Sequence, residues 1–390
     1  MRLALKGILA IMAALVLAAA AAPLASAQWA IQPSPNPEGA SSASLSAVSC
    51  AADGSCMAVG TYSPNGTSQY TLAERWDGSS WTIVNTPNPP GGADILYGVS
   101  CPAPGSCIAV GLSVSSAHVH ALAETWNGRK WVIRNTPAPA PGSFVSLHSV
   151  SCTSPDSCTA VGAFTQSSES AEEQPLAESW NGTRWTIEPT PNPEAENGSS
   201  LRGVSCSASD ACTAAGNYDY FDVEQKIFAM RFDGTAWTMQ RQPNPSGEHL
   251  NTDASISCSQ PSACTSVGSW LTLELETRPL AESWNGVNWV RQPTPHPKDA
   301  VSAALEGVSC LSSSDCTAVG GWSANSQGNP DFTLAEQWNG ASWKVQETPN
   351  PSGAQHSTLV SIDCSAGPCV AVGNFSNGSV TQTLVERYSP

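Results

Sequence analysis

The stretch Leu45–Pro89 decides the fold. It opens L-S-A-V-S-C-A-A-D-G-S-C-M-A-V-G at residues 45–60, passes through a variable loop, resumes L-A-E-R-W-D-G-S-S-W at residues 72–81 and leaves on T-P-N-P at residues 86–89. Almost everything after it is the same stretch written again. Cysteine pairs recur: Cys50 and Cys56, Cys101 and Cys107, Cys152 and Cys158, Cys206 and Cys212, Cys258 and Cys264, Cys310 and Cys316, Cys364 and Cys369. Successive first cysteines lie 51 to 54 residues apart. A fixed period near fifty residues, rich in short β-forming runs, belongs to propeller blades or solenoid repeats.

Within one period the pattern predicts four strands. In the first unit these are Ser46–Cys50, Cys56–Tyr62, Thr71–Trp76 and Trp81–Val84. Leu72, Glu74 and Trp76 alternate with Ala73 and Arg75, the period of a strand. Asp77-Gly78 is a tight-turn signal, and Pro87 and Pro89 stop the fourth strand. Proline has no ladder donor, so this strand belongs at the outer edge. The turn and its flanking aromatics return around Gly128, Gly182, Gly234, Gly286 and Gly340. The tryptophans are read as wedges between units rather than as sugar platforms, because they repeat regularly.

The two ends of the chain complement each other. Trp29–Pro37 reads as a fourth strand with no first three before it, and Leu384–Pro390 reads as a third strand with no fourth after it. Joined, they complete one unit and remove two exposed edges. The expectation is a single all-β domain over residues 28–390, a seven-bladed β-propeller with four antiparallel strands per blade. Residues 40–89, 90–139, 140–193, 194–245, 246–297 and 298–351 form units one to six. Residues 352–390 give the first three strands of unit seven, and residues 28–37 give its outer strand.

Residues 1–27 read as an export signal, with Arg2 and Lys6 before the apolar run Gly7–Ala22 and a small-residue cleavage site at Ala25-Ser26-Ala27. The product is then secreted and extracellular, with no membrane span after cleavage, and is read as a monomer. A net charge of −16 excludes nucleic acid as a partner, because such a surface repels phosphate. Cysteine usage agrees with export: all fourteen cysteines fall into local pairs. Zinc would need four ligands per site, and no histidine recurs near the pairs. The pairs are read as disulfides across tight hairpins, each contributing roughly 2 kcal/mol in the chain-entropy model.

The unit V-S-C…C-x-A-V-G…L-A-E-x-W-N-G-x-x-W…P-N-P resembles a repeat found in exported actinobacterial proteins, and its ring closure is similar to that of WD-repeat and kelch propellers. The resemblance covers the whole chain after the leader. It implies a propeller on the outside of a Gram-positive cell and brings no activity with it.

Function has to be sought where the units differ. Four residues before each first cysteine stand Ser46, Tyr97, His148, Arg202, Ala254, Glu306 and Val360, followed always by a small residue. Asp253 fills a slot that is leucine in the other six units. Tyr97, His148, Arg202, Asp253 and Glu306 form the candidate ligand-binding set, at the mouth of a central channel. A secondary loop site comprises Tyr218, Asp219, Tyr220, Asp222 and Glu224. The repeated acids Glu74, Glu124, Glu178, Glu282, Glu336 and Glu386 are read as structural hydrogen-bonding groups between blades. The aromatics after A-V-G (Tyr62, Phe164, Tyr218, Trp270, Trp322 and Phe375) are read as packing. His296 merely replaces the asparagine of P-N-P. His118 and His120 lack a third ligand for a metal, so no metal or other cofactor is expected. The leading functional reading is a binding module for an extracellular glycan, cell-wall polymer or protein. Its rivals are a polysaccharide hydrolase or lyase working through acids and His148, and a surface protein without a ligand.

Overall fold

The computed structural model describes residues 28–389, apart from 116–117, 168–171, 194–197, 221–223, 245–250 and 326–328. The expected export signal lies outside the described residues. Every described element is a β-strand. The first is β1 (Gln28–Gln32), and unit one then runs β2 (Ser42–Cys50), β3 (Cys56–Ser63), β4 (Tyr70–Trp76) and β5 (Trp81–Ile83). Later units repeat that order, with first strands at Gly92–Ala103, Phe144–Ser154, Ser199–Ala208, Asn251–Gln260, Ser302–Ser312 and His356–Asp363.

Units two to six each form a four-stranded antiparallel sheet. The remaining strands form one eight-stranded sheet that divides into two halves. One half is β2–β5. The other is His356–Asp363, Val370–Ser376 and Thr381–Ser389, with β1 paired antiparallel to Thr381–Ser389 from Gln28↔Ser389 to Gln32↔Val385. The halves touch through the single parallel bridge Ser42↔Thr381. First strands are longer than the sequence suggested, with β2 starting at Ser42 rather than Ser46, because Ala43 and Leu45 continue the buried alternation. The fourth strand is shorter and stops at Ile83, although Val84 N–H still donates to the Ala73 carbonyl.

Two repeated motifs have a local geometric cause. The register of β2 on β3 slips between Leu45 and Ala47, leaving Ser46 as the extra residue of a β-bulge. The same slip falls at Tyr97, His148, Arg202, Ala254, Glu306 and Val360. Opposite the bulge sits the glycine of A-V-G. A Cβ on Gly60 would collide with the Ser44 carbonyl and lie 2.8 Å from Leu45 Cα, so only glycine lets the strands meet there. The small residue after each bulge lets neighbouring first strands converge. A Cβ on Gly307 would stand 2.9 Å from Ser361 Cα of the next unit.

The cysteine hairpins are cross-linked as expected, each within its own unit. Cys50 is bonded to Cys56, Cys101 to Cys107, Cys152 to Cys158 and Cys206 to Cys212. Cys258 is bonded to Cys264, Cys310 to Cys316 and Cys364 to Cys369. The last loop is one residue shorter than the others, and its bridge still spans a Cα–Cα distance of 4.0 Å.

The V-S-C serine has a second job. The N–H of Cys101 donates to Ser49 Oγ of the preceding unit at 3.0 Å, and the same bond recurs at Cys152, Cys206, Cys258, Cys310 and Cys364. Unit seven carries Asp363 in place of that serine, and Asp363 Oδ2 accepts the Cys50 N–H at 2.8 Å. The last unit thus clasps the first with a charged acceptor, which is stronger than a hydroxyl. Asp363→Ala should lower unfolding free energy by about 1.5–3 kcal/mol, against about 1 kcal/mol for Ser49→Ala. Urea midpoints measure both, and equal losses would show that the charge adds nothing.

Packing follows the same sequence of neighbours. Leu72, Trp76 and Trp81 of unit one form one core cluster with Val370, Val372 and Val385 of unit seven. Trp76 and Trp81 lie with ring centroids 5.8 Å apart, and the Arg387 guanidinium sits 5.5 Å from the Trp76 ring.

Candidate ligand-binding site at the first-strand bulges

A bulge turns its extra side chain out of the sheet pairing, and here the convergence of the first strands aims these side chains at one space. A cavity of about 630 Å³ is lined by Ser46, Tyr97, His148, Arg202, Glu306 and Val360, with Asn217, Gln225, Thr252 and Asn374 among its other walls. Four of the five residues singled out from the sequence therefore meet. The fifth, Asp253, pairs with Gly268 at the register position that Leu147 and Leu201 hold in their units, one residue before the bulge. Its side chain lies outside the described set.

His148 is the most constrained member. Its Nδ1 lies 2.8 Å from the Leu201 carbonyl, so Nδ1 carries the proton and donates. Nε2 is then the acceptor and takes the Ser146 hydroxyl proton at 3.0 Å. Burial, and secondarily the positive Arg202, push the His148 pKa down to about 4, so the ring is neutral near pH 7. The Tyr97 ring meets His148 edge-on at 5.9 Å. Burial raises the Tyr97 hydroxyl pKa, with Arg202 opposing it. Burial also raises the Glu306 carboxyl. Arg202 itself is exposed. The cavity therefore offers one accessible cation, one half-buried carboxyl and a neutral aromatic wall, a mixture suited to an uncharged or acidic polyhydroxy ligand.

The other sequence candidates separate. Tyr218 packs edge-on against Phe228 at 5.9 Å, and Asp219 accepts a hydrogen bond from the Gln225 side chain. Tyr220 and Glu224 pair at the end of their hairpin. Their side chains, and all of Asp222, fall outside the described residues, so the secondary loop site is not assembled here. His118 and His120 are both exposed, with ring centroids 6.2 Å apart. Among the described residues no cluster of three metal-ligating side chains exists. No described helix is long and apolar enough to cross a membrane.

The repeated glutamates only partly follow expectation. Glu74 accepts the Ser34 hydroxyl at 2.8 Å, an inter-unit bond of the kind expected. Both carboxyl oxygens of Glu124, Glu178 and Glu336 are buried without a partner among the described residues. These three are corrected from bonding groups to carboxyls that burial holds protonated, each with its pKa pushed up to about 8. The post-A-V-G aromatics are half-buried, and Tyr62 and Trp322 pack on Tyr70 and Phe332. Trp270 lines a cavity, as Tyr218 and Trp322 do in their units, and His296 lines the same cavity as Trp270. Sequence reasoning missed this pair because each was judged within its column and not against its neighbours in space.

No protein-family model matches the sequence, and no curated protein does. Several solved structures share the architecture. One titled YCF48 bound to D1 peptide superposes with a TM-score of 0.53 at 11% identity, covering 95% of this chain and 97% of that one. A protein of unknown function from Dyadobacter fermentans gives 0.53 at 11% identity, over 93% and 98% of the two chains. A polysaccharide lyase, an ulvan lyase bound to a sulfated GlcA–Rha ligand, gives 0.56 at 9% identity, over 84% and 89%. YCF48 and the lyase are β-propeller proteins, and at such identities the likeness concerns the fold alone: this chain is an all-β protein of repeated four-stranded antiparallel sheets, similar to propellers.

Proposed function

We propose that the chain is a closed seven-bladed propeller, exported from the cell, that binds an extracellular glycan or related polymer in the cavity at its first-strand bulges. The observation that carries this reading is the convergence of the non-repeating column on that one cavity of about 630 Å³. Seven disulfides agree with an extracellular location. Closure to seven blades is supported by the Asp363 clasp and by the pairing of β1 with Thr381–Ser389. Two structural neighbours hold a sulfated saccharide and a peptide, which makes polymer ligands the first to try.

Binding is favoured over cleavage by the state of the site. Both His148 nitrogens are engaged, and its pKa near 4 makes it a weak base at neutral pH. Among the described lining residues Glu306 is the one carboxylate, whereas glycoside hydrolysis usually needs two. A glycan array followed by a reducing-end assay tests this. Arg202→Ala and Glu306→Ala should each weaken retention of the bound glycan at least tenfold while leaving the melting temperature unchanged. Unaltered retention in both variants removes the site, and release of shorter products from wild type replaces binding with catalysis.

A further inference from the structure

Unit five breaks the repeat in a coupled way. In four other units the P-N-P asparagine clips the third strand: Asn88 Oδ1 accepts Thr71 N–H at 2.8 Å, Asn244 accepts Ile227 N–H at 2.8 Å, and Asn350 and Asn36 accept Thr333 and Thr383 N–H at 3.0 Å. In unit five the strand position is Pro279, which has no N–H to donate, and the asparagine is His296. Unit three also has a proline there, Pro175, but keeps its asparagine, Asn192, whereas unit five has lost the clip on both sides.

His296 lines a cavity of about 540 Å³ with Trp270, Arg278, Arg291 and Glu276. Two polar atoms there, His296 Nε2 and Trp270 Nε1, are buried without a partner among the described residues. The orphaned indole nitrogen is shared with Trp131, Trp185, Trp237, Trp284 and Trp289, so of the two atoms His296 Nε2 is the one particular to this unit. Two arginines and two glutamates line the cavity, and Glu274 is exposed at its rim. Arg278 is paired with Glu276. Arg291 makes no ion pair among the described residues, and its guanidinium lies 4.7 Å from the centre of the Trp270 ring, which holds it in place. The equivalent cavity of unit four, about 570 Å³, has Met239 where unit five has Arg291, and its orphaned atom is the acceptor Gln242 Oε1. Its asparagine is clipped and its Tyr218 is packed on Phe228.

We infer that this unit-five cavity is a second ligand site, separate from the bulge cavity, for a carboxylate-bearing sugar residue. The space suits one or two sugar rings rather than a bare ion. Arg291, planar and pre-oriented on Trp270, presents its donors to the carboxylate. His296 and the Trp270 ring form the wall against which the sugar ring packs.

Isothermal titration of the purified chain with trigalacturonate, against maltotriose as a neutral trimer, tests the inference. Trigalacturonate should bind one per chain, and maltotriose at least tenfold more weakly. Arg291→Ala should weaken trigalacturonate at least tenfold, and Trp270→Ala, which removes the ring that holds Arg291, at least fivefold. Arg202→Ala, in the bulge cavity, should change it less than twofold. The inference is overturned if wild type does not bind trigalacturonate, if both trimers bind equally, if Arg291→Ala has no effect, or if the loss appears in Arg202→Ala instead. Of these outcomes only the last bears on the bulge cavity, which it supports; the others leave that cavity to its own array test, so the two proposals fail separately.

Discussion

Trp29→Ala should destabilise the whole protein by about 3–5 kcal/mol, the usual loss for a large buried aromatic, although Trp29 stands at the very start of the described chain. The ring is 5% exposed, lies 5.3 Å from Tyr388, and packs in a cluster with Leu359, Ile362 and Leu384 of unit seven and Val319 and Ala335 of unit six. Its Nε1–H donates to Gln346 Oε1 at 2.8 Å, as Trp343 donates to Gln292 one unit earlier. In an open array of repeats a terminal strand frays alone, and its loss leaves the remaining units intact. In a closed wheel the same strand lies between two units that hold each other, so the loss propagates. Thermal unfolding of Trp29→Ala beside Trp131→Ala, the equivalent residue of unit two, separates the cases. Similar downward shifts of a single transition are expected. A much smaller shift for Trp29→Ala, or a separate low-temperature step, would mean that the wheel does not close.

The repeat itself was fully legible, because strand period, turn dipeptides and cysteine spacing are local properties written once per unit. Pairing of the two chain ends could be inferred because each end shows half a unit. The bulge was not legible: an extra residue in a ladder leaves no mark in a one-dimensional pattern. Its trace is a variable residue left unpaired just after the residue that faces the invariant glycine across the hairpin, and that needs the register. The Asp363 clasp was visible as a serine-to-aspartate exchange, yet its meaning depends on Cys50, more than three hundred residues away. His296 and Pro279 show the same limit. Each looks like drift within its own column, and only the cavity they share brings them together.

Raising the pH from about 6.5 to 8 should weaken the fold progressively, against the common pattern of a flat optimum in that range. All six glutamates of the repeated slot are fully buried, and in five of them, Glu74, Glu124, Glu178, Glu336 and Glu386, desolvation pushes the pKa up to about 8. Their unfolded values lie near the ordinary 4.5. Between those limits the folded state keeps protons that the unfolded state has released, so stability is full below about pH 4.5 and falls as pH rises toward 8, at up to 1.4 kcal/mol per pH unit for each group. His148 has the opposite sign: its depressed pKa erodes stability as pH falls from about 6.5 to 4, which leaves the interval above 6.5 to the glutamates. Unit four shows that the slot needs no acid, since Met230 fills it and is fully buried. Glu178→Gln preserves shape and removes the proton, so its urea midpoint should decline less steeply across pH 6.5–8 than that of wild type, by about 1.4 kcal/mol per pH unit. At pH 8 the variant should therefore be the more stable protein. Parallel pH profiles for the two would mean that Glu178 is ionised in the fold, and the buried carboxylate would then require a counter-charge that none of the described residues supplies.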